Sequence, residues 1–496
     1  MIRIDHQAMI KYTFICVTCC IVMGVAASAS ARPSIPGKET VNIPDNGAAV
    51  LRLTDAVLLG LANNSDIRAA YLDRVAQKTM LETTEDRFSP KFMLNGKHVV
   101  GQNDRVSQTE LSPTATMQSE TGAQFSLSWN NRVIQDEYGA ASRDDGASFT
   151  VVQPLMRGAG RDVVTAPLRQ ARLNEEISQL NLKAVVSEVV TQIIFTYHEV
   201  LRAQEQSRLA LEALSRARHT LTFDTYKAAA GYWIESDFAG LVHAEADVAS
   251  RELALEEVEN RLNANRHRLL RLLGLDADVE IYALDTLEVR YIKAEVAKTV
   301  AAALKQQPDY LMQRLAAERA TIEVAVARDQ RQWDVSLVGK ASQMRNYVSG
   351  TAGNQVSQSR DNHAGVRVNI PFGDSAPRQA ETRARINAKN QDSRLAEARN
   401  ALERDISEGA RNLEARWRQC EAARRSLELA RAKLESEHAR EKGIPGDNFR
   451  ALVFESDLYS AESARIDTII AYRNALAVLD KLSGTTLESW GIELND

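Results

Sequence analysis

Several short segments of the chain alternate between apolar and polar residues with a period of two. The clearest run from Ala123 to Asn130, from Asp334 to Ser342 and from Ala364 to Ile370, and weaker ones lie at 92–100 and 147–152. This is the period of a strand with one wet and one apolar face, and it is also the signature of a transmembrane β-strand. For any one segment the alternation fits either structure.

Two polar, glycine-rich stretches, at 101–122 and 347–362, separate these segments and are predicted to be surface loops. The first half of the chain then offers three alternating segments. The helices that precede and follow these segments in the chain are, however, expected on the same side of a membrane. That arrangement requires an even number of crossings. Either one segment does not span, or the first two form one broken strand; the sequence leaves both alternatives open.

Long segments of helical composition follow the strands in both halves. They run from Asn174 to Gly231 and from Asn387 to Gly443, are rich in Ala, Arg, Glu, Gln and Leu, and contain no proline. A second helix is predicted to return from each glycine, ending at Gly274 and at Gly484, since glycine is the expected residue where a helix stops. Each half therefore predicts a long antiparallel helical hairpin.

The order of elements in the first half repeats in the second. Six positions recur with an offset of 243 in residue number: Leu61, Asp66, Leu72, Leu94, Gly96 and Lys97 match Leu304, Asp309, Leu315, Leu337, Gly339 and Lys340. Near the end of each half the offset is 210: Glu245, Leu269, Leu272 and Gly274 match Glu455, Leu479, Leu482 and Gly484. So long a period excludes a solenoid. It predicts a duplicated module, with a first repeat at 51–284 and a second at 285–490.

The N-terminus has the features of a secretory signal peptide. Lys11 precedes an apolar run that ends in Ala29-Ser30-Ala31, which is a cleavage signature. The predicted signal peptide is 1–31, with Met1 or Met9 as its start, and 32–50 form an N-terminal extension. Cleavage would leave Cys420 alone and exclude an internal disulfide. No later stretch approaches the roughly 20 apolar residues of a membrane helix.

Composition and motifs point away from nucleic acid and from catalysis. The formal net charge of −5 argues against general affinity for nucleic acid. His198-Glu199 lacks the second histidine of a zinc-protease helix, and Glu435-x-x-His438 has no partner motif for a di-iron site. No phosphate-binding loop is present either. We therefore predict no catalytic residues, no metal site, no cofactor and no enzymatic activity.

About four strands per chain are too few to close a barrel alone, because single-chain barrels begin at eight strands. An open sheet in lipid would leave unpaired edges at a prohibitive cost. If the strands lie in a membrane, several copies must share one barrel from which the helices project. The predicted fold class is therefore an α+β membrane protein: an internally duplicated protomer with long antiparallel helical hairpins and about four strands in a shared barrel.

This order of elements, and a short motif that closes the first β-hairpin, resemble the TolC family of outer-membrane efflux proteins over roughly 51–490. The motif runs from Gln153 to Gly160 and contains Pro154, Leu155, Met156, Arg157, Gly158 and Ala159; the second repeat has Asn369-Ile370-Pro371-Phe372-Gly373 at the matching place. The resemblance implies a homotrimer in the Gram-negative outer membrane, with a twelve-stranded shared barrel in lipid and a periplasmic helical tunnel. It also implies docking with a periplasmic adaptor and an inner-membrane transporter, as the exit duct of a tripartite efflux or type I secretion system.

The resemblance further implies that the hairpin tips form the gate and contact the adaptor. The candidate residues at the tips are Gly231, Tyr232, Asp237, Gly443, Pro445 and Asp447. The second tip departs from the family, because Phe449 and Leu452 stand where TolC has aspartates. Whether the gate is acidic is therefore left open.

A rival interpretation is a periplasmic or secreted coiled-coil structural protein whose strands form a small soluble domain. The alternating segments discriminate weakly against it, since soluble sheets also alternate. The duplication and the Gln153–Gly160 stretch favour the channel. An enzyme is a more distant third class. The sequence names neither the cargo nor the partner pump.

Overall fold

The computed structural model describes residues 48–101, 106–135, 141–229, 237–350, 353–441 and 448–494. The predicted signal peptide and residues 32–47 of the N-terminal extension lie outside the described residues. The last residues of that extension form the first strand.

Ten helices and eight strands make up the described part of the chain. The helices are α1 (Leu53–Asn63), α2 (Ser65–Glu85), α3 (Arg161–Val164), α4 (Ala166–Ala229), α5 (Asp237–Leu273), α6 (Val296–Gln306), α7 (Pro308–Gln330), α8 (Ala376–Glu441), α9 (Asn448–Ser483) and α10 (Thr486–Ser489). The strands are β1 (Ala48–Leu51), β2 (Lys91–Val100), β3 (Ser107–Gln118), β4 (Gln124–Gln135), β5 (Ala141–Pro154), β6 (Glu280–Ala283), β7 (Asp334–Gly350) and β8 (Gly353–Asn369). A 3₁₀ turn, Asp86–Phe88, follows α2.

Six strands form one antiparallel sheet in the order β2-β3-β4-β5-β7-β8, while β1 and β6 form a separate parallel pair. One end of the large sheet is continuous with helices: α2 leads into β2, β5 leads into α3 and α4, α7 leads into β7, and β8 leads into α8. We call this the helical end of the sheet. The turn 119–123, between β3 and β4, lies at the same end.

The prediction of about four strands is wrong: the sheet has six. Residues 101–122, predicted as a loop, contain β3, and most of 347–362 belongs to the outer halves of β7 and β8. The problem of three crossings disappears, because the first half has four strands rather than three. Thr, Ser and Gln are abundant in both segments, so their overall polarity concealed the strands, although Leu111, Ala115 and Met117 of β3 lie on one face.

The structure carries the same order of helices in both halves, at the offsets that the sequence shows. The starts of α1 and α6, of α2 and α7, and of β2 and β7 all differ by the same offset of 243, and the starts of α4 and α8 differ by 210. The offset therefore falls from 243 to 210 between β2 and α4 of the first repeat, which correspond to β7 and α8 of the second. In this interval the first repeat carries four strands of the large sheet and the second carries two. The fall in offset thus corresponds to two inserted strands.

The helical hairpins are present as predicted, with longer first helices. α4 contains 64 residues and α8 contains 66, starting at Ala166 and Ala376 rather than near Asn174 and Asn387. At 1.5 Å per residue each is about 95–100 Å long. α5 packs along α4, and α9 packs along α8. None of the described helices combines the length and the apolar character that crossing a bilayer requires.

The two repeats pack together through α4 and α9. Glu188 on α4 forms an ion pair with Lys481 on α9, which lowers the pKa of the Glu188 carboxyl. One step along the same interface, His198 Nδ1 lies 2.7 Å from Asn474 Oδ1. Burial lowers the pKa of His198 to about 4, so its ring is neutral at pH 7. The buried contact of His198 with Asn474 and the partly exposed ion pair of Glu188 with Lys481 thus link the two repeats beside an apolar core.

Gly484 ends α9 with a backbone conformation, φ +74°, that favours glycine. A Cβ atom there would lie 2.8 Å from the backbone carbon of Gln306 and from the Cα of Gln307. We expect Gly484→Ala to lower the free energy of unfolding by at least about 1–2 kcal/mol, the cost of a left-handed L-residue alone. Thermal unfolding of the detergent-solubilised chain, followed by circular dichroism, measures this change.

Gly240→Ala is the matched control. Gly240 lies inside α5, and a Cβ atom there would meet no neighbour within 4 Å. Alanine should stabilise that helix by up to about 1 kcal/mol. Equal midpoints for the two variants would mean that the close approach of Gly484 to the end of α6 does not constrain the fold.

Candidate functional site

The strand register divides the large sheet into two chemically different faces. Even-numbered residues of β2 and β8 share one face with odd-numbered residues of the four strands between them. On β4 this face carries Phe125, Leu127 and Trp129, and the opposite face carries Ser126 and Ser128. We call the two faces the apolar face and the polar face.

Near the helical end, the apolar face is a continuous band that crosses all six strands. Many of its large side chains are exposed: Phe92, Leu94, Leu111, Met117, Leu127, Trp129, Phe149, Leu337, Val366 and Val368. Polar residues replace them further along each strand, as at His98, Thr109, Asn131, Asp145 and Gln343. An exposed apolar patch of this extent normally marks a surface covered by lipid or by another protein.

The polar face carries mainly Ser, Thr, Asn, Lys and Arg. Ser128 Oγ and Ser148 Oγ lie 2.8 Å apart across β4 and β5. Exposed large apolar residues are few on this face of the described strands: Met93, Val99, Met344 and Val348. Each of the six strands has at least ten residues. This length suffices to cross a bilayer as tilted β-structure.

The two edge strands of the sheet are open. Every residue of β2 is exposed, as are all described residues of β8. Neither strand contains proline, and β8 is 17 residues long. Long unprotected edges of this kind are templates for pairing with another strand.

The motif of residues 153–160 forms the junction between the sheet and the helices. Gln153 and Pro154 are the last residues of β5, paired with Leu337 and Ser336 on β7. The ladder continues past the strand, because the Leu155 N–H donates to the Val335 carbonyl over 2.8 Å and the Arg157 N–H donates to the Trp333 carbonyl over 3.1 Å. The motif therefore joins the first repeat to the second.

Two aspartates of the second repeat complete this junction. The guanidinium of Arg157 donates to Asp334 Oδ2 over 2.8 Å, and the Gly158 N–H donates to Asp329 Oδ2 over 2.9 Å. Burial raises the pKa of the Asp329 carboxyl, while the Gly158 hydrogen bond and the charge of Arg157 oppose that rise. The role of the motif is structural: its donors, the Gly158 N–H and the Arg157 guanidinium, are accepted by these two aspartates where β5 turns into a helix.

Gly122, in the turn between β3 and β4, touches the same junction. Its φ is +97°, and a Cβ atom there would lie 2.5 Å from the carbonyl oxygen of Gly158. The Gly160 N–H donates to the Thr121 carbonyl over 3.3 Å. The turn that joins β3 to β4 is thus anchored on the helical end of the sheet.

The second repeat lacks this network at the matching place. β8 is an edge strand, so no strand of the same chain lies beyond Asn369 to accept comparable contacts among the described residues. Gly373 still makes the turn, with φ +78°, and the Phe372 side chain is 91% exposed. The difference between the two motifs follows from their positions, central for β5 and peripheral for β8.

Removing the Asp329 carboxyl should weaken the junction. Asp329→Ala leaves the Gly158 N–H without its acceptor, which costs about 1–3 kcal/mol for a buried donor. Asp329→Asn keeps an acceptor oxygen, and because burial already disfavours the charged form we expect a smaller loss. Thermal unfolding midpoints of the two variants test this; a midpoint for Asp329→Ala equal to that of Asp329→Asn would show that the acceptor is not needed.

The candidate tip residues Gly231, Tyr232, Gly443, Pro445 and Asp447 lie outside the described residues. Asp237 is the first residue of α5. Across the described ranges, no cluster of three or more His, Cys, Asp or Glu side chains could hold a metal ion. Cys420 is buried and donates to the Thr468 carbonyl over 3.0 Å.

Sequence reasoning missed Asp329, Asp334 and the strand β3. Asp329 lies 171 residues from its partner Gly158, and no local pattern marks such a pairing. β3 did leave a signal, namely the fall of the repeat offset from 243 to 210.

Solved structures share this architecture. The outer-membrane channel CmeC of Campylobacter jejuni matches with a TM-score of 0.64 at 15% identity, over 88% of this chain and 86% of that one. The outer-membrane protein VceC of Vibrio cholerae matches with a TM-score of 0.62 at 14% identity, over 87% and 96% of the two chains. The open state of the outer-membrane channel MtrE of Neisseria gonorrhoeae matches with a TM-score of 0.59 at 17% identity, over 88% of this chain and 89% of that one.

The chain has the TolC-like fold of outer-membrane efflux channels. The TolC-like architecture that the sequence resemblance predicted is therefore confirmed, with six strands in the large sheet instead of about four. No protein-family profile matches the chain, and no curated sequence matches it either. The structural neighbours are channel proteins rather than enzymes.

Proposed function

We propose that the chain is the protomer of an outer-membrane channel. In this proposal three copies share one barrel in the Gram-negative outer membrane, and their helices extend as a tunnel into the periplasm. The channel is the exit duct of a tripartite efflux or type I secretion system. It passes substrates from a periplasmic adaptor and an inner-membrane transporter to the exterior, without cofactor and without chemistry of its own.

The apolar face of the sheet is the single observation that carries this proposal. Phe92 is 84% exposed and Leu94 is 61% exposed at one edge, and Val366 is 61% exposed at the other. At roughly 25 cal/mol per Å² of apolar surface, leaving the whole band in water would be costly. Lipid removes that cost, and the polar face then lines a water-filled lumen.

The coiled-coil scaffold explains the long helices equally well but not the sheet. A small soluble sheet buries its apolar face against a core. Here the largest side chains of that face are exposed, and the described helices continue from the end of the sheet without covering it. The channel is therefore the better-supported function.

We further propose that the signal peptide 1–31 directs export, and that the repeats 51–284 and 285–490 are the two domains of each protomer. The tips around Gly231, Tyr232, Asp237, Gly443, Pro445 and Asp447 contact the adaptor and form the gate. This assignment rests on the family resemblance and on the helical hairpins that lead toward both tips.

Membrane fractionation with detergent extraction, followed by mass determination of the unboiled protein, tests the proposal. We expect the chain in the outer-membrane fraction, resistant to alkaline washing, with a mass near three times that of one chain. A soluble periplasmic protein and an established barrel protein in the same gradient serve as controls. Recovery in the aqueous fraction would instead support the scaffold.

A further inference from the structure

We propose that β2 of one protomer pairs with β8 of the next, and that three copies close a barrel of eighteen strands. The sheet contributes six strands from each copy. The inference rests on the proposed membrane channel and departs from the twelve strands that the family resemblance implies. The strand that pairs with each open edge comes from another copy of this chain.

Both open edges of the sheet lie within the apolar band. Phe92 and Leu94 end the band on β2, and Val366 and Val368 end it on β8, all of them more than half exposed. Unpaired backbone donors and acceptors beside lipid each cost several kcal/mol. Six strands cannot close on themselves, because barrels begin at eight. The two edges therefore need partners from other copies.

The repeated order of elements identifies β2 as the strand at the boundary of the protomer. β2 follows α2 as β7 follows α7, at the same offset of 243. The extra residues of the first repeat lie between β2 and β5, so the insertion widens the sheet without displacing its outer strand. A twelve-stranded barrel would require the pair β2–β3 to leave the sheet, although β3 is paired with β4 over most of its length.

The open edges of the sheet continue into open helical flanks. α2 packs on α4, and its opposite surface exposes Leu72 by 60% and Val75 by 45%. On the other flank, α8 packs on α7, and Ile386 is 54% exposed beside a shallow groove. One flank consists of α2 and β2, and the other of β8 and α8. Two different surfaces that meet head to tail generate a ring when the rotation closes.

Disulfide cross-linking between strands separates the two barrel sizes. In a Cys420→Ser background, Asn95→Cys on the polar face of β2 is combined with cysteines scanned along the polar face of β8, at Ser359, Asp361, His363 and Gly365. Within one protomer these strands are five spacings apart, about 24 Å, so a bond can form only between copies. We expect at least one pair to give covalent dimers and trimers on non-reducing gels.

The matched control moves the first cysteine to Asn130→Cys on β4. Asn95 and Asn130 lie in one row across the sheet: Asn95 is paired with Ser112, and the β3–β4 register on either side of Ser112 places Asn130 opposite it. If β4 were the boundary strand, the Asn130→Cys series would cross-link and the Asn95→Cys series would not. That result, or a detergent-extracted trimer without any β2–β8 cross-link, overturns the inference. A monomeric or soluble chain would instead contradict the proposed channel itself.

Deleting the insertion gives an independent measurement. Removal of residues 104–136 would join β2 directly to β5 and give the first repeat the strand number of the second. Barrel diameter grows roughly linearly with strand number, so the barrel of the deletion variant should be about two thirds as wide. Electron microscopy of both trimers, viewed along the axis, measures the ratio; equal diameters would overturn the inference.

Discussion

Shortening the α4–α5 hairpin by two turns is expected to abolish export while leaving membrane insertion intact. The Arg218 guanidinium lies 2.7 Å from Glu252 Oε1, which places these residues at one level of the hairpin. Deleting residues 211–217 from α4 and 253–259 from α5 shortens both helices by about 10 Å. The deleted length in each helix is close to two full turns, so the remaining faces rotate by only about 20°.

The expected loss of export has a geometric cause. The tip of this hairpin would fall short of the neighbouring tip by the length removed, beyond the reach of a contact with an adaptor. Export is measured as resistance to the toxic compounds to which loss of the chain sensitises the cell. We expect the resistance of cells that carry the shortened variant to fall to that of cells without the chain. The amount of detergent-extracted trimer should be unchanged.

The control for this deletion restores the length with a different sequence. Helical segments of equal length, rich in Ala, Glu and Lys, replace the deleted residues in each helix. Export should return, because length rather than sequence places the tip. If the shortened hairpin supports normal export, tunnel length and tip docking are not what these helices provide.

A positive charge on the apolar face should prevent stable assembly in the membrane. Leu127 lies in the middle of the band on β4 and is 53% exposed. We expect Leu127→Arg to cost about 2–4 kcal/mol per copy near the bilayer centre. Over three copies in one barrel the cost approaches the whole stability of an ordinary domain. Little or no folded trimer should be recovered from the outer membrane.

Ser126→Arg is the matched control, at the position directly before Leu127. The Ser126 side chain lies on the polar face, where the proposed lumen is filled with water, and we expect nearly normal recovery of trimer. Semi-native gels of the extracted membrane quantify both variants. Equal recovery of the two would mean that the apolar face does not meet lipid.

The sheet shows where sequence patterns succeed and where they fail. β4 was predicted from Ala123 to Asn130 because large apolar residues alternate with Ser and Asn there, and the strand extends from Gln124 to Gln135. β3 lies within 101–122, which the polar and glycine-rich composition predicts as a loop. The apolar side chains of β3, Leu111, Ala115 and Met117, gain their meaning only beside those of β4.

The junction shows the same division. The sequence places the motif at the close of the first β-hairpin, and the chain turns there at Gly158 and Gly160, both with positive φ. The groups that hold it, Asp329 and Asp334, belong to the other repeat. Contacts between residues so far apart in the chain depend on which strands become neighbours, and local composition does not specify that.

The sequence by itself determined the duplicated order of helices and strands, the long hairpins and the glycines that end them, because periodicity and helix termination are local properties of the chain. Only the tertiary structure decided that the sheet has six strands, that one continuous face is apolar, and that β2 and β8 are its open edges. Those features depend on strand register and neighbour order, and each polar or apolar residue acquires its role from the strand paired beside it.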